Sequence, residues 1–246
     1  MSTPPGAAAV PDPQHAHLDH VAPRRPVRAV GSAAAQNSRI ADEFFFMAHD
    51  DQTGRPRLFE IALSFGLAAA LLAELYYERR ITFEGRQIRV VSTFQTSDWL
   101  QHVVLARIAA EPQHTDTRTW LAFLAATSYE QVATRMWQDG LLQQEQTRRL
   151  WRQRTVYVPT DMNTAAWSWA RISQQVRNSR PLDHLDIALA GLALITHLDT
   201  ALLDGAPLAA RVHMRRLVAE SWPPLCDLLA DLGASLGRNV LSHRTS

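Results

Sequence analysis

Lysine is absent from the 246-residue chain, and cysteine occurs once, at Cys226. A single thiol excludes a disulfide framework and any zinc site built on paired cysteines, and it suits a reducing, cytoplasmic setting. HExxH, GxGxxG and P-loop strings are also missing, which removes the short signatures of zinc proteases, dinucleotide enzymes and nucleotide-binding loops. No stretch reaches the ~18–20 consecutive apolar residues of a spanning helix. The opening "MSTPPGAAAVPDPQHAHLDH" is too polar and proline-rich for the apolar core of a signal peptide. These absences point to a soluble chain, or one resting on a membrane surface.

What is present is material for a core. Hydrophobic residues make up 46% of the chain, enough at this length to bury one domain. All 25 basic residues are arginine and alanine is abundant, which we read as the codon usage of a GC-rich, bacterial genome. The net charge of +1 conceals an asymmetry. Residues 147–180 hold seven arginines against one acid, Asp161, giving 7 − 1 = +6, and the remainder carries 18 − 23 = −5. A basic segment on a mildly acidic body points to an anionic partner.

Residues 1–38 read as a disordered Pro/Ala-rich tail carrying an arginine cluster, Arg24, Arg25 and Arg28. Such a basic tail suits a protein partner or a lipid. A single helical domain is expected over 39–240, with a flexible C-terminus at 241–246. Ser38 is the expected N-cap of a short helix over 39–49. Two segments, Leu58–Tyr77 and Leu185–Leu203, are apolar nearly all round and belong in the middle of a bundle. Amphipathic patterns place further helices around them. One, capped by Ser97, covers 98–110; others cover 117–126 and 129–138, the latter closed by Gly140, and another opens at Thr164. "RITFEGRQIRVV" reads as a hairpin turning at Glu84-Gly85, and "RRLWRQRTVYVP" as a second with Arg152 and Gln153 near its tip. The fold class is mainly α: a central four-helix-bundle-like core ringed by amphipathic helices, with two β-hairpins.

The chemistry-bearing residues divide into three readings. His49, Asp50 and Asp51 offer an imidazole beside two carboxylates, the makings of a metal or acid/base site. Adjacent residues do not converge on one ion unaided, however, and Asp-Asp-x-Thr-Gly is good turn chemistry that would present Arg55 and Arg57. The second hairpin sets Arg148, Arg149, Arg152 and Arg154 around Trp151, a combination that suits an anionic lipid surface or, equally, a tryptophan packed onto the bundle. Four arginines at roughly 1 kcal/mol each give about 4 kcal/mol, only about millimolar affinity alone. The third reading treats helices 117–126 and 129–138 plus the hairpin as a winged helix. Its recognition helix "YEQVATRMWQ" offers only Arg135, the wrong charge for nucleic acid.

The order of segments resembles the Golgi phosphoprotein 3 family. The matching pieces are "ADEFFFMAHDDQTGRPR", "SFGLAAALLAELYYERRITFEG", "TSDWLQHVVLARI", "WQDGLL", the hairpin that follows, and "PLDHLDIALAGLALITHLDTALL", covering roughly residues 39–232. The resemblance implies a non-enzymatic protein without a cofactor, similar to phosphatidylinositol-4-phosphate-binding adaptors. It would dock peripherally on the cytoplasmic face of a membrane, with a projecting hairpin over 147–158 that can mediate homo-oligomerisation. The family's headgroup pocket uses a tryptophan at the start of the first buried helix, an arginine nine residues on, and two arginines three apart on a later helix. Phe59, Ala68, Ala126 and Tyr129 stand at those positions here, so the aromatic survives and the charges do not. Arg55, Arg57 and Arg135 are the nearby basic groups expected to meet an anionic headgroup with Phe59.

Overall fold

Helix α2 (Glu60–Tyr77) buries twelve of its 18 residues, because alanine and leucine fill every side of it from Leu67 to Ala73. The computed structural model describes Met1 and residues 39–96, 98–149 and 152–242, with side chains described over 39–96, 98–146 and 155–238. By length and composition α2 could cross a membrane, with mean hydropathy 1.4, which corrects the expectation that no stretch reaches that threshold. Two-thirds of it lies inside the domain, and it is the core helix of a bundle.

Around α2 pack α1 (Ile40–Met47), α7 (His184–Ile195) and α10 (Pro223–Ser242), and α7 also touches the other two. These four make the centre. The outer helices are α3 (Trp99–Ala110), α4 (Thr117–Ala125), α5 (Ser128–Gln138), α6 (Met162–Arg177), the short α8 (Asp199–Leu202) and α9 (Leu208–Ala219). Two antiparallel hairpins complete the described residues, β1 (Ile81–Glu84) with β2 (Gln87–Val90) and β3 (Leu142–Arg149) with β4 (Arg152–Pro159).

Helices α2 and α7 run antiparallel. The Tyr77 hydroxyl at the end of α2 donates to the His184 carbonyl at the start of α7, 2.7 Å away. At the other end, a Cβ on Gly66 would lie 3.2 Å from Thr196 Cγ2, just past α7. Helix α9 runs back beside α7. Near its start Arg211 donates to the Leu203 carbonyl at 3.1 Å, and past its end Trp222 meets the rings of Tyr77 and His184 at 5.8 and 5.0 Å. The starts of α2 and α9 therefore lie at the same end of the α2–α7 pair.

Several boundaries differ from the expectations, each for a local reason. Ser97 and Ser38 lie outside the described residues, and it is Asp98 that caps α3, accepting from the Gln101 amide at 3.1 Å. Helix α6 starts at Met162 because Asp161 accepts from the amides of Asn163 and Thr164 at 3.1 and 3.2 Å. The apolar run 185–203 is two helices, broken where His197 adopts φ 64°. In the first hairpin Glu84 pairs with Gln87, so Gly85 (φ 57°) and Arg86 form the turn, one residue later than expected. Gly140 (φ 72°) does end α5. The second hairpin begins earlier than expected, at Leu142, and its register closes on Arg149 opposite Arg152. Arg152 and Gln153, expected near the tip, are therefore paired strand residues, and 150 and 151 lie outside the described residues. Helix α10 runs to Ser242, two residues past the expected domain boundary.

Candidate functional site

The loop after α1 is built by its acidic residues. Asp50 accepts from the Thr53 amide at 2.9 Å, the Thr53 hydroxyl at 2.8 Å and the Gln52 amide at 3.3 Å, and these bonds hold its carboxyl below the usual range. Gly54 (φ 61°) completes the turn. His49 lies inside, stacked on Phe45 at 4.0 Å with its Nδ1–H donating to the Phe45 carbonyl at 2.7 Å. Burial, with the Arg57 charge nearby, pushes its pKa down to about 4, so the ring is neutral. The trio is a turn and a core histidine. Among the described residues no group of three or more His, Cys, Asp or Glu is placed to hold a metal ion.

Arg57 is held inside this loop. Its Nε donates to the His49 carbonyl at 2.9 Å, its Nη2 lies 3.4 and 3.7 Å from Asp50 and Asp51, and its guanidinium stacks 4.8 Å over the Trp169 ring. Arg57 lies near the surface but does not project freely. Arg55 is exposed, and Phe59, the N-cap residue of α2, is 88% exposed. The loop leans on the second hairpin, since a Cβ on Gly54 would fall against the Tyr157 carbonyl oxygen and 3.0 Å from Val158 Cγ1. Tyr157 also meets Tyr129 at 6.4 Å. Arg55 and Phe59 thus sit by the base of β3–β4, an adjacency that no spacing in the sequence discloses.

On that hairpin Arg148, Arg149, Arg152 and Arg154 occupy strand positions, with Arg149 opposite Arg152 and Thr147 opposite Arg154. Trp151 and the tail arginines Arg24, Arg25 and Arg28 lie outside the described residues.

Arg135 requires a correction. It is not a surface cation: its side chain is fully buried in the middle of three carboxylates. It donates to Asp42 Oδ1 at 2.6 and 3.1 Å, to Glu74 at 3.1 and 3.2 Å, and to Asp98 Oδ2 at 2.7 Å. Glu74 also accepts from the Ala41 amide at 2.8 Å and from Gln101 at 3.0 Å. The network ties α1, α2, α3 and α5 together. A guanidinium this enclosed is out of reach of headgroup or nucleic acid, and its loss leaves α5 with no basic reader for a winged helix. Arg171, from the basic segment, is likewise taken up, donating to Glu43 at 2.7 Å and Asp186 at 2.6 Å.

The family's pocket positions fare similarly. Ala68 is fully buried, Ala126 is exposed and Tyr129 half-buried, and none supplies a cation. Residues 233–237 read Gly-Ala-Ser-Leu-Gly, a GxSxG string. It lies within α10, and Ser235 donates to the Asp231 carbonyl at 2.8 Å. A hydrolase nucleophile needs an exposed strand-to-helix turn, so this string is helix packing.

A helical bundle with a braced second hairpin and a helix N-terminus exposing an aromatic ring defines the class of domain. The family model of Golgi phosphoprotein 3 (GPP34) matches residues 40–225, about three-quarters of the chain, and the protein belongs to that family. No curated protein matches the chain in a sequence comparison.

Proposed function

We propose that this protein is a non-enzymatic peripheral membrane module that docks on anionic lipid headgroups at the end of the domain bearing Arg55 and Phe59. The observation that carries this reading is the pairing of an 88%-exposed ring with a free arginine on a loop whose geometry is fixed by Asp50, Gly54 and Arg57. An ordered loop loses little entropy when its side chains enter an interface. The strands that carry Arg148, Arg149, Arg152 and Arg154 adjoin the same loop through Tyr157, and four arginines at roughly 1 kcal/mol each would add about 4 kcal/mol to the attraction for an anionic surface.

Selectivity follows charge rather than headgroup identity. With Ala68, Ala126 and Tyr129 at the pocket positions and Arg135 locked in the core, those positions supply no cation among the described residues to enclose a phosphoinositide phosphate. The setting is the cytoplasmic face of a membrane.

Liposome co-sedimentation tests the reading. Vesicles containing phosphatidylserine should retain the protein, phosphatidylcholine vesicles should not, and phosphatidylinositol 4-phosphate should add no more than its charge. Phe59→Ser with Arg55→Glu should abolish retention at an unchanged unfolding midpoint. Equal retention of wild type and variant would overturn the proposal.

A further inference from the structure

Five arginines from two parts of the sequence meet on one surface far from Arg55 in the chain. Arg177 and Arg180 close α6, and Arg211, Arg215 and Arg216 lie on α9. The His213 Nε2–H donates to the Arg180 carbonyl at 3.0 Å, and Arg177 donates to the Asp204 carbonyl at 2.6 Å, which seats the end of α6 against α9. Residues 205–219 contain no acid. Asp204 and Glu220 flank the helix, yet among the described residues none of the five guanidinium groups pairs with a carboxylate within 4.0 Å. Arg211 and Arg177 bond backbone carbonyls, Arg216 approaches His213 Nδ1 at 3.4 Å, and Arg177, Arg180, Arg215 and Arg216 are exposed while Arg211 is half-buried.

The same helix exposes two large aliphatic side chains, Leu208 at 73% and Val212 at 55%. At 3.6 residues per turn, Arg211, Arg215, Leu208, Val212 and Arg216 occupy one arc of about 140°, with the apolar pair in its middle. Ala210 and Met214 are buried on the opposite side. Aliphatic residues bracketed by arginines are the pattern of a helix lying in a lipid interface, apolar centre down and cations toward the headgroups. A nucleic-acid backbone would use the arginines and leave the leucine bare.

We infer that the outer face of α9, with Arg177 and Arg180 beside it, is a second docking surface for an anionic bilayer. The inference rests on the lipid-docking reading above, because the start of α9 lies at the same end of the α2–α7 pair as Phe59. Leu208, at the start of α9, stands at that shared end, and a second contact there would convert weak binding at the first into longer residence by raising its effective concentration.

An environment-sensitive NBD label tests this in full-length protein, attached at Val212→Cys in one sample and at Phe59→Cys in another, both carrying Cys226→Ser. With phosphatidylserine-containing vesicles, the label at 212 should brighten and shift to the blue, and phosphatidylcholine alone should leave it unchanged. A silent label at 212 beside a responding label at 59 overturns the second surface and leaves the first standing. Silence at both overturns both. Leu208→Ser with Val212→Ser should weaken vesicle binding by about tenfold or more, the loss expected from two partly inserted aliphatic side chains. Wild-type vesicle binding by that variant, combined with weaker binding of Arg215→Ala and Arg216→Ala protein to a duplex oligonucleotide, would assign the face to nucleic acid and overturn the inference.

Discussion

Nη2 of Arg135 donates to Oδ1 of Asp42 across 2.6 Å, joining α5 to α1 in the middle of the domain. The cation is shared with Glu74 and Asp98, so one side chain satisfies carboxylates on three other elements. Removing it alone leaves those carboxylates buried without a counter-charge. Arg135→Met should therefore cost about 3–5 kcal/mol in urea unfolding, whereas exposed Arg55→Met should change it by less than about 0.5 kcal/mol.

The same network sets a dependence on pH. Burial, with the Glu74 charge beside it, pushes the Asp42 pKa up from 3.8 to about 7 against the pull of Arg135. A carboxyl that holds its proton more tightly folded than unfolded stabilises fully below its unfolded value and loses that contribution as pH rises through the folded one. Unfolding free energy measured from pH 4 to 8 should decline through this group, and Asp42→Asn should flatten the decline.

His49 acts in the opposite sense. Its pKa falls from 6.5 to about 4 on burial, so its contribution is complete above pH 6.5 and is lost as pH drops through 4. A shift of this size corresponds to about 3 kcal/mol. His49→Phe should remove the acid-side loss of stability in the same titration while lowering stability at neutral pH, because the bond to the Phe45 carbonyl disappears.

At Gly66, α2 packs directly against the ring of Phe44 from α1. A Cβ there would lie 2.5 and 2.6 Å from the Phe44 ring, which is itself fully buried. Gly66→Ala should cost about 1–3 kcal/mol by overpacking. Gly191→Ala meets only the methyl end of Leu229, which can turn aside, and should cost less. Thermal unfolding of the two variants checks the order.

Much of the fold was legible because apolar patterning reports burial directly. The all-round apolar segments at 58–77 and 185–203 proved to hold α2 and α7, the second running on past the end of α7 into α8, and the Asp50-to-Gly54 turn followed from its chemistry. The break at His197 was hidden, because the run stays apolar through a residue whose backbone turns left-handed. Arg135 misled for a different reason. A lone arginine in an amphipathic helix looks solvent-facing until three carboxylates, from positions 37 to 93 residues away, close over it. The start of β3 was missed because residues 143–146, "QQEQ", are polar and exposed, and pairing rather than burial holds them. The α9 surface had a sequence signal, fifteen residues without an acid, but its aliphatic pair acquired meaning only when the helix was seen to leave them uncovered.

Where Gly54 abuts the Tyr157 carbonyl there is no room for a side chain, and therefore no slack. A side chain at position 54 would force the base of β3–β4 away from the loop that carries Arg55, so the fit between these two segments is set by a residue that contributes neither charge nor grease.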